Sequence, residues 1–256
     1  MATDAIHSSL SASHRVRPVN RAQERAFFAG MAILLCVIVV FGFSRTYFFA
    51  GMVLAPLPNA LVHIHGGAFT LWMALYLVQS ALISARRVAW HRALGTVAFC
   101  LPPIMIALGL LAALDSLRRG LQIGGLPSSV SLAIPLFNIA AFGIVILAAW
   151  RTRRKPDSHK RLIVYATIGL TEAAIGRFPA WLQMGMPPAV SNSVWLGVVL
   201  LLPVIYDLYA LHRVHRSSMW AAPLTFVLSA VAVPIGMTPV WQSFAGFLAR
   251  AVAPHV

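Results

Sequence analysis

Seven apolar runs, each near the length of a bilayer crossing, constrain this chain more than anything else in it. Crossing the hydrocarbon takes about 20 apolar residues. The runs fall at about 26–44, 62–84, 93–114, 130–150, 162–182, 193–211 and 219–239. Backbone in lipid has to satisfy its own hydrogen bonds, and at this length a helix does so. The expected fold class is therefore all-α, a polytopic transmembrane helical bundle. Residues 1–20 (MATDAIHSSLSASHRVRPVN) read as a disordered cytoplasmic arm and 21–256 as a single transmembrane helical domain. The first run lacks a small-residue cleavage site and reads as a retained anchor. Pro223 and Pro234 predict that the seventh run is broken.

Only 10% of the residues are charged, against about 25% in soluble domains. The net charge of +14 would suit nucleic acid if it were clustered, but the cations are scattered through short connections, so no nucleic-acid partner is expected. Their placement is better explained by membrane topology. With the N-terminus inside, 15 Lys and Arg lie in inner segments: Arg15, Arg17, Arg21 and Arg25; Arg86, Arg87 and Arg92; Arg151 to Arg161; Arg213 and Arg216. Four lie outside: Arg45, Arg118, Arg119 and Arg250. The N-terminus is predicted inside, the C-terminus outside, and the lipid bilayer is the first partner. Cys36 and Cys100 fall inside apolar runs without CxxC spacing, so neither a disulfide nor a thiolate metal site is indicated.

Nine histidines stand out in so apolar a chain. His7 and His14 fall in the arm and carry no expectation. His63 and His65 open the second run in LVHIHGG, after Pro56, Pro58 and the N-cap residue Asn59. Two residues apart on a helix is about 200° of rotation, so the two cannot face one pocket. His65 heads a stripe of Phe69, Trp72, Tyr76, Gln79 and Arg86, which suits a planar cofactor or a quinone and equally suits helix packing. His65 is expected to face inward near the depth of Arg177, with His63 at the headgroups. Gly66 and Gly67 are expected to admit a neighbouring backbone.

The segments R87-V-A-W-H91-R92-A-L94 and K155-P-D-S-H159-K160-R-L162 share one pattern, basic-x-x-x-His-basic-x-Leu. Each opens a span from an inner loop, which reads as a repeated helical hairpin, 62–114 and 130–182. A helix N-terminus disfavours imidazolium, so His91 and His159 are the best metal or haem ligands in the chain. His212 and His215 are expected at a helix C-terminus, protonated, as a cationic cluster against anionic lipid. Glu172, Arg177 and Asp207 fall within predicted spans, as does the neutral Asn138, and intramembrane polar groups are functional candidates by default.

H65-G66, then Q79, then R87-x-x-x-H91-R92-x-L94-G95, resembles the HxHG…Q…RxxxHRxLG signature of an uncharacterised bacterial inner-membrane protein family. D157-x-H159-K160-R161-L162, A174-I175-G176-R177, and D207 with H215 are similar to its later motifs. The resemblance covers about residues 60–216 and implies a helical bundle in a bacterial inner membrane, without an assigned activity. A looser likeness is to the cytochrome b561 and ferric-reductase class, which stacks two bis-histidine haems. Here the outer level offers only His63 and His65 of one helix, so at most one haem b is permitted, at the inner end. A further loose likeness is to assembly helpers of haem-copper oxidases.

The chain has no P-loop, GxGxxG, HExxH or GxSxG pattern and only six acidic residues. Soluble enzymology is not indicated. Three functions remain: redox or cofactor handling linked to haem or quinone, non-enzymatic binding or assembly of a respiratory membrane complex, and transport. Cofactor-binding candidates are His65, Trp72, Gln79, His91, His159 and Arg177, with His91 and His159 also the metal candidates.

Overall fold

The computed structural model describes residues 20–50 and 59–252, and among these it contains helices and no strand. His7, His14, Pro56, Pro58 and nearly all of the 1–20 arm lie outside the described residues. Helix α1 (Arg21–Phe43) is capped by Asn20, whose side chain accepts from the backbone N–H groups of Ala22 and Gln23, and runs into a π-helical turn, Ser44–Phe48. Helix α2 (Ala60–Ser84) is capped by Asn59, which accepts from Val62 N at 2.9 Å. Helices α3 (Val88–Ala98) and α4 (Leu101–Arg118) form one rod, interrupted at Phe99–Cys100 just ahead of Pro102 and Pro103. A short α5 (Ser128–Ser131) leads into α6 (Ala133–Arg151), followed by α7 (Pro156–Ile175), α8 (Pro188–Leu211), α9 (Arg216–Gly236) and α10 (Pro239–Ala251).

Six rods are long and apolar enough to cross a membrane: Arg21–Phe48, Ala60–Ser84, Val88–Arg118, Ser128–Arg151, Pro188–Leu211 and Arg216–Gly236. These are the helices of a multi-pass membrane protein, with side chains such as Ile33, Val37, Leu71 and Leu201 turned outward to where lipid tails lie. Helix α7 is absent from that set, because Asp157, Lys160, Arg161 and Glu172 make it too polar. Yet it is the hub, with α1, α6, α8 and α9 packed around it and most of its residues from Arg161 to Ile175 buried. Protein neighbours, not lipid, receive its side chains, which is how polar groups are tolerated at membrane depth.

Three segments differ from the sequence reading. The 162–182 run keeps its hydropathy past Gly176, but the helix stops at Ile175. Pro179 and a 3₁₀ turn at Ala180–Gln183 follow, so Arg177 is not inside a helix. The 219–239 run is not broken, because α9 continues through Pro223 and Pro234; neighbouring helices can compensate a proline's missing donor in a bundle. Beyond it lies α10, a helix the hydropathy did not reveal. Thr238 caps it, Ala245 is buried beside Ala113, Leu117 and Leu132, and the Trp241 indole donates to Ser129 O at 2.9 Å.

Gly66 meets the ring of Tyr47, a side chain and not a backbone, and Gly67 meets nothing within 4 Å. The closest backbone approach is elsewhere. A Cβ on Gly42 of α1 would collide with the carbonyl of Ala174 in α7.

Candidate functional site

Two helices that begin alike meet in one place. His91 is the fourth residue of α3 and His159 the fourth residue of α7, following Arg87 and Lys155 at the two N-cap positions. Both line a cavity of about 80 Å³ between α2, α3 and α7, together with Trp72, Tyr76, Gln79 and Phe99. Four of the sequence candidates thus converge, brought in by three separate helices.

The ring nitrogens are held in complementary ways. His159 Nδ1–H donates to the Ala149 carbonyl at the end of α6, at 2.9 Å. Its Nε2 is left as a lone pair. Gln79 is satisfied when its amide oxygen accepts from Gly95 N at 2.9 Å and its nitrogen donates to His91 Nδ1 at 2.5 Å. His91 therefore carries its hydrogen on Nε2. The two rings bring an N–H and a lone pair to the edge of the cavity, with the Gln79 backbone carbonyl also facing the His91 ring. Tyr76 adds a buried hydroxyl without a partner, and Trp72 is oriented by donating to Thr167 Oγ1 at 3.3 Å. Gly95 leaves room for the Gln79 amide, which lies 3.4 Å from where a Cβ would stand. Gly95→Val is expected to displace Gln79 and release His91, seen as a changed His91 tautomer in the imidazole nitrogen NMR shifts.

As it stands, the cavity is small and offers two histidines as ligand types. Among the described residues no group of three His, Cys, Asp or Glu is arranged to hold a metal ion. Ligand pockets for drug-sized molecules occupy about 300–1,000 Å³, so a cavity of 80 Å³ takes a single ring or a few waters, not a tetrapyrrole. His91, donating through Nε2, is also set against ligation, whereas His159 has the usual ligand arrangement.

His65 and Arg177 lie away from this cavity and within electrostatic reach of each other. His65 is half-buried, its ring centre 4.3 Å from that of Phe69 and tilted by 31° to it, with Nδ1 unpartnered. His63 is exposed, its Nδ1 3.5 Å from the Tyr47 hydroxyl. Arg177 is exposed in the turn after α7, donating to the Ala173 carbonyl with its guanidinium 4.5 Å from the centre of the Phe43 ring.

Asp207 of α8 is fully buried and paired with Arg161, whose Nη2 and Nε lie 2.6 and 2.7 Å from Oδ1. Its Oδ2 accepts from Ser218 Oγ at 2.6 Å and His215 N at 3.1 Å. Arg161 also donates to the Asp157 carbonyl, and the neighbouring Lys160 reaches Asp157 and, on α1, Glu24. This lock ties α1, α7, α8 and the start of α9 together. The charge count places Arg161 in an inner loop, and nothing local in the sequence marks it as the partner of a residue 46 positions away.

His215 is not at a helix C-terminus. It is the N-cap of α9 and accepts from Ser217 N at 3.1 Å through Nδ1. Burial, then the nearby Arg161, holds its pKa below the ordinary histidine value. The expected cationic cluster is corrected on this point. A histidine whose pKa is lowered on folding contributes stability above its unfolded value, about 6.5, and loses it as the pH falls. Wild type should melt lower at about pH 5 than at about pH 8, and His215→Gln should narrow that gap.

Comparison of the chain with family models, with curated proteins and with solved structures returns no match, so the chemistry of the cavity rests on its own side chains.

Proposed function

We propose that this is a bacterial inner-membrane protein of seven crossings, the six apolar rods and α7, which is fifth in chain order, with its N-terminus inside and C-terminus outside. We propose further that it binds the ring head of a quinone-class molecule in the His91–His159 cavity. The topology is supported by the 15-to-4 distribution of Lys and Arg. Its test is labelling of single cysteines by an impermeant maleimide in spheroplasts, in a background lacking Cys36 and Cys100. Gln122→Cys should label and Arg154→Cys should not; the reverse pattern inverts the topology.

The observation that carries the binding reading is the complementary setting of the two rings. A quinone carbonyl accepts a hydrogen bond and a quinol hydroxyl donates one, and His91 Nε2–H with His159 Nε2 supplies both. The aromatic walls of Trp72, Tyr76 and Phe99 suit a flat apolar ring. The size favours a ring head over haem. The test is quenching of tryptophan fluorescence by a short-chain benzoquinone or naphthoquinone in nanodiscs. His159→Leu and Gln79→Leu should each weaken binding about tenfold, the scale of one buried hydrogen bond lost. Equal affinity in wild type and both variants would end the reading.

A further inference from the structure

Glu172 lies three residues from the end of α7 and is only 5% exposed. Its Oε1 accepts from Asn192 Nδ2 of α8 at 3.1 Å. Two acceptor atoms of this pair, Glu172 Oε2 and Asn192 Oδ1, are buried without any partner. Asn138 of α6 and Ser229 of α9 face the same carboxyl, outside hydrogen-bond geometry to Oε2. An orphaned buried acceptor costs about 1–3 kcal/mol, more if charged, so two side by side call for an explanation.

No charge balances this carboxyl. None of the ion pairs among the described residues includes Glu172. The elements packed around it offer Asn138 of α6, Asn192 of α8 and Ser229 of α9, none of them charged. The nearest cation along the chain, Arg177, is turned to the Ala173 carbonyl and the Phe43 ring. The C-terminal end of a helix further disfavours an anion.

One proton resolves all of this, and we propose that Glu172 is a proton-binding site. The carboxyl is held neutral in a cyclic pair with Asn192, Oε2–H donating to Oδ1 while Nδ2–H donates to Oε1. Both orphaned atoms are satisfied at once and no buried charge remains. A metal cation in the same place would meet the Asn192 amide donor already aimed at the carboxyl. The site lies at the other end of α7 from His159 and is independent of ring binding.

Infrared difference spectroscopy of the protein in nanodiscs at neutral pH tests this. Wild type should show the C=O stretch of a protonated carboxylic acid, shifted down in D₂O. Glu172→Gln should remove the band while the protein stays folded, because an amide repeats both hydrogen bonds. Asn192→Leu should keep the band and move it to higher frequency, since the acid loses its partner. Absence of the band in wild type overturns the proposal. So does a band that persists in Glu172→Gln, or an absent band combined with a melting temperature raised by sodium over choline, which would mark a cation site.

Discussion

Asp207→Ala is expected to cost about 3–5 kcal/mol, the range for removing one partner of a buried ion pair. The loss has three parts on one carboxylate. Arg161, 2% exposed, is left as an uncompensated charge inside the bundle. Ser218 Oγ loses its acceptor, and the backbone N–H of His215 loses the group that fixes the α8–α9 turn. Steric-trap or thermal unfolding in detergent measures the effect. The pair itself need not be stabilising relative to apolar side chains of similar volume, so Arg161→Met combined with Asp207→Leu should recover much of the loss. A single substitution as mild as a surface charge removal, under about 1 kcal/mol, would mean that Arg161 finds water and the lock is not closed.

Gly42→Leu is expected to be comparably damaging, about 3 kcal/mol or more, the upper end for overpacking. The obstacle is the backbone carbonyl of Ala174, which cannot rotate aside as a side chain would. Helix α1 would have to leave α7, taking with it the Glu24–Lys160 pair and the stacking of Phe27 on Tyr206 at 4.0 Å. The same substitution at Gly30 of α1 or Gly67 of α2, where nothing lies within 4 Å, should change stability by less than about 0.5 kcal/mol. Equal melting of Gly42→Leu and Gly30→Leu would show that α1 does not pack this closely.

Where hydropathy carries the information, the fold was legible. Six runs appear as apolar rods within a few residues of their expected places, since lipid asks the same of each. It failed where a run is bounded by backbone and not by polarity. Phe178, Pro179, Trp181 and Leu182 continue the apolar character after Gly176 although the helix has ended. Helix α10 was hidden because its 13 residues are too few for a crossing and it opens on Pro239, soon after Pro234. The cavity was half legible: the shared spacing of His91 and His159 from a basic N-cap put both at equivalent positions, and the stripe through Trp72 and Gln79 faced them. The room that Gly95 leaves for the Gln79 amide became visible only when α2 and α3 were set side by side. The partners of Glu172 and Asp207 were not legible, because contacts between helices leave no trace in the spacing along one helix.

The polarity of α7 has a consequence for how the chain enters the bilayer. Helix α7 carries Asp157, Lys160 and Arg161 in its first two turns and Glu172 near its end, and charged residues in a span cost up to about 2.5–3.5 kcal/mol each at its centre on insertion scales, so on the proposed topology α7 is a poor candidate to partition by its own hydrophobicity. Its neutralising groups come from both sides of it in the chain. Glu24 is already synthesised when α7 emerges, whereas Asp207 arrives only with α8 and Ser218 only with α9. Helix α7 must therefore wait at the insertion site, or enter as part of a preassembled group, until the ribosome has supplied α8. A nascent chain of which only the residues up to about Gly176 have left the ribosome should hold its fifth crossing, α7, outside the hydrocarbon, and the order of synthesis becomes part of the folding code of this bundle.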